Sequence, residues 1–155
     1  RVRVLNYSGS GIETTFTQGE DTCLQAMVPE LPAEAPDAPP SILVVGTLAD
    51  IVEDQFGRIF EKLGVGPVRF FPPRRAAALP AVGPRTHLLL AQPFTGEAVR
   101  ALERRGASVL PAPYPFGAEG SRAWFAAAAR AFGAPEARID AVLDPLVGRA
   151  ERALE

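Results

Sequence analysis

A change in the period of the apolar positions divides the chain into alternating predicted strands and helices. Residues 42–45 form a continuous apolar run, which is typical of a strand buried on both faces of a sheet. Short apolar runs at 68–71, 88–91 and 107–110 predict three further strands. Because helical patterns separate these runs, we expect right-handed crossovers and a parallel sheet with helices on both faces.

The first predicted helix of this series spans 50–63 and precedes Gly64, a residue type that favours the C-terminal cap of a helix. Its apolar face is predicted to consist of Ile51, Val52, Phe56, Ile59, Phe60 and Leu63. Thr95 is the predicted cap of a second helix over 96–105. The predicted fold is therefore α/β, a Rossmann-like parallel sheet of about four strands flanked by helices.

Two more helices are predicted after the last strand, an alanine-rich one at 119–132 and an amphipathic one near 136–155. Pro145 is expected to kink the final helix or to restart it with Asp144 as the cap. The apolar stripe of that helix continues to the last residue, and the chain opens inside an alternating pattern. Both features indicate a piece cut from a longer subunit.

The N-terminal part is predicted to be a strand, a long loop and a helix. Residues 1–7 alternate as a strand does, 8–11 form a turn, and the sequence Thr17-Gln-Gly-Glu20 suggests a capping box at the start of a helix that ends at Pro29.

Five prolines within 29–40 prevent a helix or a central strand there, so this stretch is interpreted as a linker. The predicted division is a remnant of one domain, the linker, a Rossmann-like domain and a helical segment that leads to a further domain. The corresponding boundaries are 1–29, 30–40, 41–133 and 134–155.

Composition narrows the class of protein. Apolar residues make up 47% and charged residues 22% of the 155 residues, which excludes a disordered charged tail. The net charge of −2 gives no reason to expect nucleic acid as a partner. No apolar run reaches the ~18–20 residues of a membrane helix, and a cytoplasmic protein is predicted. The single cysteine excludes a disulfide scaffold and a metal site made only of cysteines.

Ligands of parallel α/β sheets gather beyond the carboxyl ends of the strands. The loops predicted at this edge are 7–18, 46–50, 71–75, 92–95 and 111–117. Several of their residues are aromatic or carry an amide: Phe16, Gln18, Gln92, Phe94, Tyr114 and Phe116. Such a rim favours a broad, flat, apolar ligand over a phosphate. The alternative is that these side chains only cover the end of the sheet.

Familiar catalytic motifs are incomplete. Gly9-Ser10-Gly11 has Thr14 where a dinucleotide loop has its third glycine, and Ser10 lacks the flanking glycines of a hydrolase elbow. His87 is interpreted as a packed or edge histidine, and Cys23 as a buried structural thiol. No set of residues forms a complete active site.

The segment Leu5-Asn-Tyr-Ser-Gly-Ser-Gly-Ile-Glu-Thr-Thr-Phe-Thr-Gln-Gly-Glu-Asp21 resembles subunit N of the light-independent (dark-operative) protochlorophyllide reductases, which are relatives of nitrogenase component 1. Softer matches follow at 65–69, 71–74, 91–94 and 111–117, so the resemblance covers nearly the whole chain.

The resemblance implies a heterotetramer of N and B subunits that works in chlorophyll and bacteriochlorophyll biosynthesis. A partner iron–sulfur reductase protein uses ATP-Mg and delivers electrons through a [4Fe-4S] cluster at the N–B interface. The D-ring double bond of protochlorophyllide is reduced to give chlorophyllide. The family's cysteine ligands lie in motifs upstream of the matching segment, and Cys23 does not fit them. We therefore expect an isolated chain without cluster ligands, without the third domain and without activity.

By the same resemblance, the loop from 11 to 19 faces a central cavity, and Thr15, Phe16 and Gln18 are expected near the pigment or the cluster. Phe94 and Phe116 are further cavity candidates from their place at the strand ends. No catalytic or metal-binding residue is assigned. A loop that only buttresses a domain junction is the alternative.

Two other functions remain open at this point. One is a different nitrogenase-like tetrapyrrole reductase, either chlorophyllide reductase or a nickel-tetrapyrrole reductive cyclase, although the string from Thr14 to Asp21 favours protochlorophyllide. The other is an α/β ligand-binding module without a redox role.

Overall fold

A computed structural model describes residues 4, 5, 12 and 14–153. The predicted strand at 1–7 and turn at 8–11 therefore lie outside the described residues, apart from Val4 and Leu5. The helices are α1 Phe16–Met27, α2 Asp50–Leu63, α3 Gly96–Glu103, α4 Gly117–Ala131 and α5 Glu136–Arg152. The strands are β1 Ser41–Val45, β2 Val68–Phe71, β3 Thr86–Leu90 and β4 Ser108–Val109. Short 3₁₀ helices occupy Val28–Glu30 and Ala76–Ala78.

The strands form one parallel sheet of four in the order β2-β1-β3-β4. β1 is central and pairs along its length with both neighbours, for example Val44 with Phe70 and with Leu89. All five of its residues are buried, as expected for a strand covered on both faces. The predicted α/β fold is confirmed.

Alternate residues of the strands serve two separate hydrophobic layers. Ile42, Val44 and Leu89 belong to the layer covered by α2, α4 and α5. Leu43, Val45 and Leu88 belong to the layer on the opposite face, which α1 and α3 cover. Because side chains alternate across a strand, a single apolar run supplies both layers.

The end of α2 confirms the predicted cap, since Gly64 has a φ of +73° and its N–H returns to Phe60 and Glu61 carbonyls. The predicted helix near 136–155 is present, but the predicted restart at Pro145 was wrong, because α5 continues through Pro145. Asp144 does not cap a new helix but binds Arg122 of α4. α5 packs along α4.

The proline-rich stretch lies along the sheet domain. Ala33 forms a parallel bridge with Val82, and the Glu34 carboxylate accepts hydrogen bonds from the Arg85 N–H at 2.7 Å and the Thr86 hydroxyl at 3.0 Å. The division of the chain into domains stays a prediction. Among residues 14–153, no helix is long and apolar enough to cross a membrane.

Candidate functional site

The topology marks one place on the sheet for a ligand. From β1 the chain proceeds through α2 to β2 at one edge, whereas from β3 it proceeds through α3 to β4 at the other edge. The two helices lie on opposite faces. Adjacent strands whose connections diverge in this way form the topological switch point, where open α/β sheets bind ligands beyond the strand ends. We call residues 46–49 and 91–95 the switch-point loops.

A glutamine ties the two switch-point loops together. The Gln92 Oε1 accepts a hydrogen bond from the Thr47 N–H at 3.0 Å, and the Gln92 Nε2 donates to the Thr47 carbonyl at 3.4 Å. Gly46 has a φ of +144°, and a Cβ there would lie 3.1 Å from Gln92 Oε1. A glycine is thus required for this close approach. Gln92, predicted as a rim residue, serves to fix the two loops relative to each other.

The N-terminus of α3 is capped from a different helix. The Asp21 carboxylate of α1 accepts hydrogen bonds from the Glu97 and Ala98 N–H groups, both at 2.8 Å, and Asp21 is only 8% exposed. Thr95, the predicted cap, makes no capping hydrogen bond through its side chain and instead donates to the Gln92 carbonyl at 3.4 Å. A carboxylate suits this position because the N–H groups and the helix dipole both favour negative charge.

The Asp21 cap affects which kind of ligand can bind at the start of α3. A helix N-terminus at the end of a strand is where a phosphate group binds in many α/β proteins. Here the Asp21 carboxylate already occupies the Glu97 and Ala98 N–H groups in the first turn of α3. A phosphate at that point would meet a like charge, in agreement with the incomplete dinucleotide loop in the sequence.

The same contact sets the position of α1. Asp21 lies at the start of α3, while Arg105, just beyond the end of α3, donates to the Leu31 carbonyl at 2.7 Å. The two helices therefore run side by side in the same direction. Phe16 precedes Asp21 by five residues, which places it about 7.5 Å further along the helix axis. The first turn of α1 therefore extends past the carboxyl edge of the sheet.

Thr15 and Gln18 together cap α1. The Gln18 N–H donates to Thr15 Oγ1 at 3.3 Å, and the Thr15 N–H donates to Gln18 Oε1 at 2.8 Å. The predicted capping box of Thr17 and Glu20 was wrong by two residues, because Thr15-Phe-Thr-Gln18 satisfies the same pattern one half-turn earlier. Both predicted site residues thus shape the start of the helix; their role toward a ligand stays a prediction.

Large apolar side chains are exposed at this edge. Phe16 is 86% exposed, Phe116 61% and Phe94 47%. Ile51, predicted on the buried face of α2, is 70% exposed. Each precedes or begins a helix at the carboxyl end of the sheet, and we call Phe16, Ile51, Phe94 and Phe116 the apolar rim. Other large exposed apolar residues in the described part of the chain are Val4, Leu5 and Ile12.

Arg74, in the loop after β2, binds the first turns of α2. Its guanidinium contacts the Glu53 carboxylate at 2.5 Å and the Asp54 carboxylate at 2.7 Å, and it also donates to the Asp50 carbonyl. The hydrogen bonds to Glu53 and then Asp54 raise the pKa of Arg74. The charge of Arg74 is therefore matched within the molecule, although both Arg74 and Arg75 are exposed.

The chemistry-bearing residues away from this edge do not form a metal site. Cys23 is half-buried in α1 rather than fully buried as predicted. His87 lies 3.2 Å from the Ser108 hydroxyl and edge-on to Phe132, which confirms a packed histidine. No group of three His, Cys, Asp or Glu residues within the described ranges could hold a metal ion. With one cysteine in its sequence, the chain does not fit the ligand set of a [4Fe-4S] cluster.

Comparison with known proteins decides the family. The model of the nitrogenase component 1 type oxidoreductases matches residues 1–153. The chain belongs to this family. Among its curated relatives, the light-independent protochlorophyllide reductase subunit N of Rhodopseudomonas palustris strain TIE-1 is 64% identical over 153 residues, which is 99% of this chain and 35% of the relative.

Two further relatives of the same name are nearly as similar. The subunit N of Halorhodospira halophila is 61% identical over 155 residues, covering 100% of this chain and 36% of the relative. That of Rhodospirillum rubrum is 59% identical over 155 residues, covering 100% and 35%. The resemblance inferred from the sequence is confirmed. The chain spans about a third of the length of these curated relatives.

The roles of two residues at this edge were not predicted from the sequence. Asp21 pairs with backbone N–H groups more than seventy positions away, and no local spacing signals such a contact. Ile51 lay one position from a regular apolar stripe and was wrongly assigned to it. Its neighbours at helical spacing on the same side, Gln55, Arg58 and Lys62, are polar and exposed, and they were the available signal.

Proposed function

We propose that this chain is the part of subunit N of a light-independent protochlorophyllide reductase that forms one wall of the pigment cavity. The observation that carries the proposal is the identity of 59–64% to proteins named as this subunit, over 99–100% of the chain. The family gives the coarser statement, that the chain is part of an oxidoreductase related to nitrogenase component 1.

In the proposed reaction, the D-ring double bond of protochlorophyllide takes up two electrons and two protons to give chlorophyllide. A partner iron–sulfur reductase protein that consumes ATP-Mg supplies the electrons. A [4Fe-4S] cluster at the interface between the N and B subunits transmits them, and its ligands come from outside this chain. The N and B subunits form the heterotetramer, which works in the cytoplasm in the synthesis of chlorophyll or bacteriochlorophyll.

The chain's own part in this reaction is to hold the pigment. A porphyrin-type macrocycle is broad, flat and mostly apolar, and the apolar rim offers it exposed aromatic surface around the switch point. The Asp21 cap keeps phosphate-like groups from the start of α3 and projects Phe16 beyond the sheet. Thr15 and Gln18 fix the first turn that carries Phe16.

The predicted domain division puts this wall of the cavity at the junction of two domains. In the proposal, residues 1–29 end the first nitrogenase-like domain, 30–40 link it to the second domain at 41–133, and 134–155 lead to the third. The carboxyl edge of the second domain then meets the end of the first domain at α1, whose packing against α3 supports a cavity at this junction.

The function is tested with the complete N–B complex, the reductase protein, ATP and protochlorophyllide. We expect the absorbance of chlorophyllide to appear only when subunit N is present. Turnover of chlorophyllide or of a nickel tetrapyrrole instead would indicate another reductase of the same group. A chain that stays monomeric and never co-purifies with an iron–sulfur partner would favour a binding module without a redox role.

The site is tested with Phe16→Ser and Gln18→Ala in the complete complex. Loss of the Phe16 ring should raise the Kd for protochlorophyllide about tenfold, the effect of about 1.4 kcal/mol of lost apolar contact. Arg104→Ala, at the exposed opposite end of α3, is the control. Unchanged pigment binding and turnover in both site variants would leave these residues with a purely structural role.

A further inference from the structure

We infer that Ile51 is a further pigment-contact residue. It lies on the other side of the switch point from Phe94, and its side chain contacts the apolar face of a planar tetrapyrrole. This inference rests on the proposed function and adds a residue that neither the sequence pattern nor the family assigns. It follows from three observations: the face of α2 that carries Ile51, the contacts that hold this turn, and its position relative to Phe94.

Ile51 is the apolar exception on a polar face. The buried stripe of α2 includes Phe60 and Leu63, which are 1% and 0% exposed. Ile51 lies instead in line with Gln55, Arg58 and Lys62, which are all exposed. At 70% exposure, its side chain contributes little to the core. Its location in the first turn of α2 places an apolar group on this face at the carboxyl edge of the sheet.

Contacts on two sides fix the turn that presents Ile51. On one side Gln92 holds Thr47 through both of its amide atoms. On the other side Arg74 binds the Asp50 carbonyl and the Glu53 and Asp54 carboxylates. A side chain on a turn held in this way loses little freedom when a ligand binds, which is the property of a preorganised contact.

The topology of the sheet places Ile51 just after one switch-point loop and Phe94 within the other, on opposite sides of the switch point. Thr47 and Gln92 are hydrogen-bonded to each other, Ile51 follows Thr47 by four residues, and Phe94 follows Gln92 by two. Because α2 and α3 lie on opposite faces of the sheet, Ile51 in the first turn of α2 and Phe94 in the loop before α3 occupy the two sides of the switch point. A planar ligand above the strand ends would contact both at once.

The ligand chemistry follows from what the crevice offers. The Thr47 N–H is already bound to Gln92, and the Glu97 and Ala98 N–H groups of α3 are bound to Asp21. An anion therefore finds these donors occupied, while an isoleucine and a phenylalanine remain exposed. At the start of α3, this combination favours an extended apolar surface such as a tetrapyrrole face over a nucleotide phosphate.

The test is a direct titration of the complete N–B complex with protochlorophyllide, followed by pigment absorbance or fluorescence. Ile51→Ser should raise the Kd about fivefold, and Ile51→Val should bind almost as well as the natural residue. Gln55→Ser, one turn further along the same exposed face, is the matched control and should not change the Kd. Thermal unfolding of each variant checks that the exposed substitution leaves the fold intact.

The outcomes separate this inference from the proposed function. If Ile51→Ser binds pigment as the natural complex does while Phe16→Ser and Phe94→Ser bind weakly, the role of Ile51 is overturned and the proposed function stands. If Ile51→Ser and Gln55→Ser weaken binding equally, the effect belongs to the helix and not to the Ile51 contact, and the inference fails. A natural complex that binds no protochlorophyllide overturns both.

Discussion

The two faces of the sheet are held by different kinds of contact. The aromatic face, under α2, α4 and α5, contains Phe56, Phe60, Trp124 and Phe125, with ring centroids 4.9–5.7 Å apart. The aliphatic face, under α1 and α3, is built from Leu, Val and Ala side chains around Phe71 and is joined at its edge by the Asp21 carboxylate. The aromatic face supplies bulk stability, whereas the aliphatic face fixes where the first turn of α1 points.

The largest effect is expected on the aromatic face. Trp124 is fully buried, packs against Phe56, Phe60 and Phe125, and donates its indole N–H to the Leu90 carbonyl at 2.7 Å. Trp124→Ala leaves a cavity and an unpaired carbonyl, and it should lower the free energy of unfolding by about 3–5 kcal/mol. Urea unfolding of the chain measures this loss. A loss below about 1 kcal/mol would contradict the assigned role of the aromatic cluster.

The next effect is expected at the cap that joins α1 to α3. Asp21→Asn replaces one acceptor oxygen by an N–H₂ group that faces a backbone N–H. It should lower the free energy of unfolding by about 1–3 kcal/mol. Hydrogen exchange at the Glu97 and Ala98 amides should accelerate at the same time. Glu20→Gln, the neighbouring substitution with the same change of charge, should leave both quantities nearly unchanged.

A smaller effect is expected at the ion pairs between α4 and α5. Arg122 contacts Asp140 at 2.7 Å and Asp144 at 2.9 Å, and its hydrogen bond to Asp144 is the main cause that raises the pKa of Arg122. These groups are partly open to solvent, so Arg122→Ala should cost only about 0.5–1 kcal/mol by urea unfolding. A loss as large as that of Trp124→Ala would show that charge, and not aromatic packing, holds this face.

The smallest effect concerns acid sensitivity. Arg130 binds the Glu136 carboxylate at 2.6 and 2.9 Å, and this hydrogen bonding lowers the pKa of Glu136. Since the folded pKa lies below the unfolded one, the stabilisation is present above the unfolded pKa of about 4.3–4.5 and is lost as the pH falls through the folded pKa. An NMR titration should show the Glu136 midpoint rising in Arg130→Ala. An unchanged midpoint would contradict the pairing.

The difference between the two faces also explains what the sequence could reveal. Strands such as 42–45 and the cap at Gly64 follow from local pattern and backbone freedom, and the structure confirms them. The cap of α3 depends on Asp21, which only the folded chain brings to Glu97 and Ala98. The start of α1 was predicted two residues late because two overlapping stretches satisfy the same capping pattern.

The candidate site was predicted in part for the same reason. Phe94 and Phe116 follow strands, so their place at the carboxyl edge comes from topology, and both are exposed there. The exposure of Ile51 depends on how α2 rotates against α4 and α5, because these contacts decide which side of the helix faces the core. The spacing of apolar residues predicts that α2 has an apolar stripe, but it does not show how far the stripe extends around the helix.

The central claim is that the carboxyl edge of this sheet receives the pigment. A cryo-EM structure of the complete N–B complex with protochlorophyllide bound tests it most directly. We predict the macrocycle at the switch point, with ring atoms within about 4 Å of Phe16 or Phe94. The claim would be contradicted if another protein segment covered the apolar rim and the pigment lay elsewhere in the complex.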